Sequence, residues 1–155
     1  MIQFELKGIP IPWKRPGRNN KTGAIYDQQK MLKDQIRWQM RGHYHEEPLK
    51  IPVEVNFSFY MPMPKNASAP RKRDMLHGMI HHICRPDVDN LSKFYLDTMT
   101  GVIYEDDSQV CEMGVKKLYA TEPYTLIEIT PKICDMKKQT EVKEVAENED
   151  DPRGC

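Results

Sequence analysis

An unusually acidic segment spans residues 87–107 of this 155-residue chain. Six acids occupy these twenty-one positions, and apolar residues are interspersed among them. The acids are Asp87, Asp89, Asp97, Glu105, Asp106 and Asp107. A solvated charge run would lack the apolar residues, which indicate instead that the segment packs into a core. The segment therefore predicts a fold that holds several carboxylates near one another.

The start of this segment predicts two convergent carboxylates followed by a helix. Asp87 and Asp89 come after Pro86, which biases the residue before it towards extended geometry. Because alternate side chains of an extended segment point the same way, the two carboxylates are expected to converge. The apolar period then predicts a helix from Asn90 to Gly101, with Asp89 as the N-cap that accepts free backbone N–H groups. Gly101 is suited to the left-handed conformation that often ends a helix.

Gathered carboxylates repel one another, so they favour a bound cation. Mg²⁺ takes oxygen ligands and keeps several waters, which leaves places for phosphate oxygens. Such a metal can polarise a phosphate and activate water. Lys93, one helical turn after Asp89, could hold the scissile phosphate. The turn at residues 105–108 could return a further carboxylate to the pair, which would complete a metal-dependent, phosphate-cleaving centre.

The same spacing also fits a purely structural interpretation. A loop, a capped helix, a surface pair between Lys93 and Asp97, and a solvated acidic turn would give the same residues. A calcium-binding EF-hand does not fit, because a loop that begins at Asp87 would have Ser92 instead of glycine at its sixth position and Thr98 at its twelfth. Spacing alone leaves the metal site and the structural interpretation both open.

The segment from Pro86 to Val110 resembles the signature of RusA-type Holliday junction resolvases, many of which are carried by phages and prophages. Its sequence is P-D-V-D-N-L-S-K-F-Y-L-D-T-M-T-G-V-I-Y-E-D-D-S-Q-V. It contains the family's Asp-x-Asp-Asn-Leu, a lysine four residues after the second aspartate, a helix, and an Asp-Asp-x-Gln-Val turn. The N-terminal I-P-I-P-W-K-R-P is similar to the family's opening strand and basic loop. The resemblance covers roughly residues 1–131.

This resemblance implies a Mg²⁺-dependent endodeoxyribonuclease, with Mn²⁺ as an alternative metal, that acts in DNA recombination and repair. Members of the family work as homodimers and make paired, symmetric nicks in four-way DNA junctions. Carried over to this chain, the metal-binding and catalytic acids would be Asp87, Asp89 and Asp107. Lys93 would be the catalytic lysine.

Other residues of the segment carry weaker expectations. Asp106 is the lesser candidate of the two turn aspartates, and Asp97 is expected to support the helix. The segment departs from the family's commonest form in two places: Cys84 stands where a basic residue is frequent, and Thr100 where asparagine is common. Both departures bear on DNA affinity more than on the chemistry.

The distribution of charge favours DNA contact, although the formal net charge is zero. Residues 135–155 carry seven acids and four bases, so residues 1–134 carry nineteen bases and sixteen acids. Six of those sixteen acids belong to the proposed site, and the rest of the domain is then basic on balance, as phosphate contact requires. We predict one domain over residues 1–134 and a charged, disordered tail over residues 135–155.

Basic residues in loops and strands are the candidate DNA contacts. They are Lys14, Arg15 and Arg18 in a loop of residues 8–23; Arg71, Lys72, Arg73 and His82 in a second, basic loop; and Arg85, Lys116 and Lys117. Trp13 could either stack on DNA or pack into the core. A basic stripe on the first helix, Lys30, Lys33, Arg37 and Arg41, is either a solvated face or a surface that meets DNA or flanks a dimer.

The order of the predicted elements is β-α-β-α-β-β, which indicates an α+β domain. We expect a mixed four-stranded sheet with two helices packed on it. The strands are predicted at Ile2–Leu6, Ile51–Tyr60, Gln109–Tyr119 and Tyr124–Ile129, and the helices at Asp27–Arg41 and Asn90–Gly101.

Cysteine and histidine usage adds little to these predictions. Four cysteines without close pairing favour a reduced, cytoplasmic protein. No apolar stretch is long enough to span a bilayer. A zinc site built from His77, His81, His82 and Cys84 is a further possibility, but their spacing lacks two paired halves of ligands.

Three functions are compatible with these features. The leading one is a Mg²⁺-dependent nuclease that resolves four-way junctions. The second is a non-catalytic protein that binds branched DNA, in which the acids cap a helix or hold a structural ion. The third is a nuclease for flaps or forks, which the sequence does not separate from the first because selectivity for DNA shape depends on dimer geometry.

Overall fold

The computed structural model describes residues 1–132, so the predicted tail at residues 135–155 lies outside the described residues. The strands are β1 (Ile2–Lys7), β2 (Gly17–Arg18), β3 (Ile25–Tyr26), β4 (Val53–Pro62), β5 (Val110–Ala120) and β6 (Tyr124–Pro131). The helices are α1 (Lys30–His43), α2 (Ala69–Leu76) and α3 (Val88–Met99), and a 3₁₀ turn covers Asp107–Gln109.

Strand β4 organises a mixed four-stranded sheet with the order β1-β6-β4-β5. It pairs parallel with β5 and antiparallel with β6, which in turn pairs antiparallel with β1. Alternate β4 residues from Val53 to Met61 are buried. This period of two directs one face of the sheet towards the core. The predicted α+β domain with a mixed four-stranded sheet is confirmed.

Helices α1 and α3 complete the core on that face. The apolar side of α3 (Leu91, Phe94, Tyr95 and Met99) is at most 2% exposed. Ile36 and Met40 of α1 join the same cluster. Burial of these side chains fixes the position of α3, which carries the acidic residues.

The prediction of two helices was wrong, because α2 adds a third among the described residues. Helix α2 contains Arg71, Lys72 and Arg73, which were expected in a loop. Its Pro70 lies in the first turn, where no intrahelical N–H is needed. Only Met75 of α2 is buried, so the sequence offers almost no apolar period. The predicted loop at residues 8–23 also differs, since β2 pairs with β3.

The ends of the other helices differ from the predictions by two or three residues. Helix α3 begins at Val88 with Asp87 as its N-cap, so the N-cap assignment to Asp89 was wrong. Helix α1 begins at Lys30 and continues to His43, two residues beyond its predicted end at Arg41. Gly101 does adopt a left-handed conformation, with a φ of 75°, directly after α3.

The structure also bears on membrane-spanning segments and on the cysteines. Within residues 1–132, no helix combines the length and the apolar character that crossing a membrane requires. Cys84 and Cys111 are free thiols, and both are exposed.

Part of the basic stripe on α1 joins helices instead of facing solvent. Lys33 is buried, and its Nζ lies 2.9 Å from Asp27 Oδ2 and 3.4 Å from Asp97 Oδ2. Arg37 donates hydrogen bonds to the carbonyl oxygens of Asp97 and Thr98 at the end of α3. Both side chains therefore fix α1 against α3, and neither is free to meet DNA. The contact gives Asp97 a partner in α1, and its expected role in supporting its own helix stays a prediction.

The Lys33–Asp27 contact predicts a pH-dependent contribution to stability. The hydrogen bond from Lys33, with a second from the Gln29 backbone, lowers the pKa of Asp27 below its ordinary value of 3.8. A lowered folded-state pKa adds stability above the unfolded-state pKa, and this stability is lost as the pH falls through the folded-state pKa. The difference in unfolding free energy between wild type and Asp27→Asn should thus be constant above about pH 5 and shrink below it.

Urea denaturation of both proteins from pH 7 down to pH 2.5 measures this difference. Lys33→Met serves as the control, because without the ammonium the Asp27→Asn change should have much less pH dependence. If the difference in unfolding free energy between wild type and Asp27→Asn stayed constant down to pH 2.5, the proposed pairing would be contradicted.

Candidate active site

The N-terminus of α3 presents two of the predicted metal-binding acids. Asp87 is the N-cap residue, in an extended conformation, and Asp89 lies in the first helical turn. Both are exposed, and the Asp87 side chain makes no capping hydrogen bond. Neither takes part in an ion pair among residues 1–132. The helix N-terminus stabilises their negative charge, and their oxygens are free to accept a cation.

The predicted catalytic lysine is held by an aromatic ring. The Nζ atom of Lys93 lies 3.9 Å from the centroid of the Trp13 ring. The indole face attracts a cation through its quadrupole. Trp13 is partly buried and packs against the core, whereas Lys93 is exposed. The indole thus restrains an ammonium group that a substrate can still reach, which is a role that the sequence did not predict for Trp13.

The loop that carries Trp13 is fixed from both sides. The backbone N–H of Trp13 donates to the backbone carbonyl oxygen of Asn90 in α3 at 2.8 Å. On the other side, Gln29 donates from Nε2 to the Pro12 carbonyl oxygen at 2.9 Å and accepts from the Lys14 N–H at 2.7 Å. Gln29 is only 3% exposed. A glutamine before a helix gives no sequence signal for this role, so its contribution was missed.

A surface hollow of about 590 Å³ opens beside the first acid. It is lined by Pro12, Arg85, Pro86, Asp87 and Asn90. Arg85 is exposed and lines the same hollow as Asp87. The hollow therefore has one basic and one acidic residue among those that line it.

The acidic turn distinguishes its two aspartates. Asp106 accepts a hydrogen bond from the Ser108 N–H at 2.8 Å, and Gln109 Oε1 accepts one from the Asp106 N–H at 2.9 Å. This reciprocal cap closes the 3₁₀ turn, and the Ser108 hydrogen bond lowers the pKa of Asp106. Asp107 is exposed and is the first residue of the turn. The Asp106 carboxylate therefore caps the turn, whereas the Asp107 carboxylate is not part of the cap.

The negative charge of Asp107 affects the pKa of Tyr104, a residue that contacts α3. Burial raises the pKa of Tyr104 well above its usual range, and the nearby carboxylates of Asp107, Asp97 and Asp106 raise it further. The Tyr104 hydroxyl donates to the Leu96 carbonyl oxygen at 3.1 Å. The rise along a helix from residue 89 to residue 96 is about 10 Å. The Asp107 carboxylate is therefore near Tyr104, whose hydroxyl group contacts the second half of α3.

The acids do not form a complete, preformed ligand set. Within residues 1–132, no group of three His, Cys, Asp or Glu side chains is arranged to hold a metal ion. The same finding covers His77, His81, His82 and Cys84, so no zinc site is formed there. Two carboxylates with waters and a phosphate are nevertheless enough for Mg²⁺, which accepts such a set. Asp87, Asp89 and Asp107 as metal ligands therefore all stay predictions.

The predicted DNA contacts lie in several parts of the fold. Lys14 and Arg15 precede β2, Arg18 is in β2, Arg71, Lys72 and Arg73 are in α2, His82 and Arg85 lie between α2 and α3, and Lys116 and Lys117 are in β5. Most are exposed, but His82, Lys72 and Lys117 are half-buried. Lys117 also donates hydrogen bonds to two backbone carbonyl groups. Seven of the ten predicted DNA contacts are therefore exposed enough to reach a phosphate group.

Comparison with known proteins bears on the whole of this region. The sequence profile described as Endodeoxyribonuclease RusA matches residues 7–130. The chain belongs to the RusA endodeoxyribonuclease family. The matched range includes the acids, Lys93 and the Trp13 loop, and it confirms the resemblance inferred from the sequence. This RusA-family chain is also 31% identical over 128 residues to the uncharacterized protein YqaN of Bacillus subtilis (strain 168), covering 79% of this chain and 90% of YqaN.

The contact between Trp13 and Lys93 can be tested by cleavage rate. Trp13→Leu removes the ring face and keeps an apolar side chain at the position. A cation–π contact contributes about 0.5–2 kcal/mol, so the rate of DNA cleavage at saturating substrate should fall roughly 2- to 30-fold.

Single-turnover cleavage measures this rate, and Trp13→Phe is the matched control because it retains an aromatic face. The Phe variant should keep most of the wild-type rate. If the Leu variant cleaved as fast as wild type, the indole would not be holding the lysine for the reaction.

Proposed function

We propose that this RusA-family protein is a Mg²⁺-dependent endodeoxyribonuclease that resolves four-way DNA junctions in recombination and repair. The observation that carries the proposal is the exposed pair Asp87 and Asp89 at the start of α3, one turn before an ammonium group restrained by Trp13. Family membership supplies the reaction class, and these side chains supply the groups that it needs.

Asp87 and Asp89 would hold the metal, with Mn²⁺ as an alternative to Mg²⁺. Asp107 is the proposed third ligand, which would have to approach the pair when the metal and DNA bind. When bound, the metal would polarise the scissile phosphate and lower the pKa of a water molecule. Mg²⁺ sites commonly combine one or two carboxylates with substrate phosphate oxygens, so the two acids of α3 suffice to begin assembly.

Lys93 would bind the scissile phosphate and stabilise the negative charge that develops on it. Its ammonium group is exposed, and the indole beneath it restricts its motion without taking its three N–H donors. A donor that is already in place requires little reorganisation during the reaction. Arg85, at the hollow beside Asp87, would bind an adjacent phosphate.

Exposed basic side chains would hold the DNA backbone around this centre. These are Lys14, Arg15, Arg18, Arg71, Arg73 and Lys116. Lys72 and His82 are half-buried and would contribute less. Contacts of this kind bind phosphate without reading sequence, so affinity should decrease steeply with salt.

We further propose that two copies act together. Each chain contributes one acidic centre, and paired, symmetric nicks in a junction need two centres related by a two-fold axis. A homodimer provides such an axis without any additional component.

Cleavage of synthetic DNA tests the proposed function. With Mg²⁺, wild type should nick a four-way junction in two symmetric strands, should leave linear duplex largely intact, and should be inactive in EDTA. Asp89→Asn should lose at least about 100-fold in rate while it retains junction binding, because it removes a charged ligand but keeps the side-chain shape.

Asp97→Asn is the matched control on the same helix, since Asp97 pairs with Lys33 and should be dispensable for cleavage. Binding without cleavage by wild type would favour a non-catalytic protein that binds branched DNA. Preferential cleavage of flaps or forks would retain the nuclease and reject the junction as its substrate.

The two aspartates of the acidic turn give a separate prediction about the ligand set. Asp107→Asn should reduce cleavage about 100-fold or more and raise the Mg²⁺ concentration needed for half-maximal rate. Asp106→Asn should weaken the cap of the turn and reduce cleavage much less, because an asparagine can still accept the Ser108 hydrogen bond.

Rates measured against Mg²⁺ concentration compare the two variants directly. Equal effects of the two substitutions would show that Asp107 acts through the turn and is not a ligand.

A further inference from the structure

The segment before Asp87 has few contacts that hold it in place. Among the described residues, residues 81–86 take part in no backbone–backbone hydrogen bond outside regular elements, and they belong to no helix or strand. The side chain of His82 does not help, because its buried Nδ1 atom has no hydrogen-bond partner. The position of the first acid must therefore depend on contacts from another element.

Lys117 makes the contacts that this segment otherwise lacks. Its Nζ atom donates to the Cys84 carbonyl oxygen at 2.7 Å and to the Pro86 carbonyl oxygen at 2.7 Å. The Pro86 carbonyl belongs to the peptide bond that joins Pro86 to Asp87. One ammonium group thus holds two carbonyl groups on either side of Arg85, and hydrogen bonds from a charged donor are stronger than neutral ones.

The register of the sheet explains why Lys117 and not its neighbour reaches this segment. In the parallel pairing of β4 with β5, Lys117 is opposite Phe59 and Lys116 is opposite Ser58. Phe59 is fully buried in the core, whereas Ser58 lies on the other face of the sheet. Lys117 therefore lies on the face that carries α3, and Lys116 is exposed on the opposite face.

We propose that Lys117 is a positioning residue that holds the Cys84–Asp87 backbone so that the Asp87 carboxylate is placed for metal binding. This inference rests on the proposed function of Asp87 as a metal ligand. It replaces the expectation that Lys117 binds DNA, because two of the three N–H donors of its ammonium group are already used. A strand-borne lysine gives a rigid anchor, since β5 is fixed along its length by β4.

The environment of the ammonium group agrees with this role. The His82 ring packs against the Tyr119 ring, with centroids 4.9 Å apart and ring planes tilted by 53°. Burial lowers the pKa of His82, and the positive charge of Lys117 lowers it further. Lys117 is the cation that faces the two carbonyl groups, and its charge disfavours a second cation at His82.

Three variants of the full chain test the proposal. Lys117→Met removes the ammonium group and keeps most of the aliphatic stem, and Lys117→Arg restores a cation. Lys116→Met is the matched control on the opposite face of the same strand. For each protein, Mn²⁺ binding is measured by electron paramagnetic resonance without DNA, cleavage of a four-way junction is measured against Mg²⁺ concentration, and junction binding is measured in EDTA at several salt concentrations.

We expect Lys117→Met to weaken Mn²⁺ binding and to raise the Mg²⁺ midpoint for cleavage about 10- to 100-fold, which is typical when a group that orients a metal ligand is removed. High Mg²⁺ should recover part of the rate, and Lys117→Arg should restore most of the metal affinity. Junction affinity in EDTA and its dependence on salt should match wild type. Lys116→Met should leave Mn²⁺ binding without DNA unchanged, and a loss of junction affinity in this variant would report its proposed phosphate contact.

The opposite pattern would overturn the proposal. If Lys117→Met lost junction affinity and reduced the salt dependence by about one charge, with normal metal binding, Lys117 would be a phosphate contact. Amide hydrogen exchange at residues 84–90 covers the case in which wild type does not cleave at all. Faster exchange in Lys117→Met with an unchanged melting temperature would still support positioning, and unchanged exchange would reject it independently of the nuclease assignment.

Discussion

The packing of α3 on the sheet is the constraint on which the candidate site depends. Its apolar side is buried against the core, so the helix cannot rotate or slide without exposing large side chains. Burial of that side fixes the direction in which Asp89 and Lys93 project. The remaining freedom lies at the two ends of the helix, and contacts from other elements restrict both. Arg37 and Lys33 of α1 hold the C-terminal end.

The N-terminal end of α3 is restricted by contacts from the Trp13 loop and from strand β5. The Trp13 backbone bonds to Asn90 in the first turns of the helix, and Lys117 bonds to the carbonyl groups just before its N-cap. The Trp13 loop also places the indole under Lys93, and Lys117 holds the segment whose Arg85 lines the hollow beside Asp87. The contacts that stabilise the helix end are thus the same contacts that assemble the site.

The sequence predicted those parts of this arrangement that depend on local patterns. Alternation in β4 and the three- to four-residue period of α3 are strong signals, and both elements were found within two residues of their predicted positions. Helix α2 was missed because its burial involves Met75 alone. The roles of Trp13, Gln29 and Lys117 were not accessible from sequence. Each depends on a contact between residues far apart in the chain, and no local period reports such a contact.

A matching motif does not determine which acids come close enough to bind one metal ion, and Asp107 is an example. The motif fixes the order of the acids along the chain, but their distance in space is set by the length of α3 and by the turn after it. The turn places the Asp107 charge near Tyr104, whose hydroxyl is bonded to Leu96 in the second half of the helix. Repulsion between carboxylates also opposes their close approach unless a cation offsets it. In the proposed site, Asp87 and Asp89 lie at the start of a helix whose apolar side is buried, and Asp107 lies on an exposed turn. Such a site would close fully only when metal and DNA supply the compensating charge.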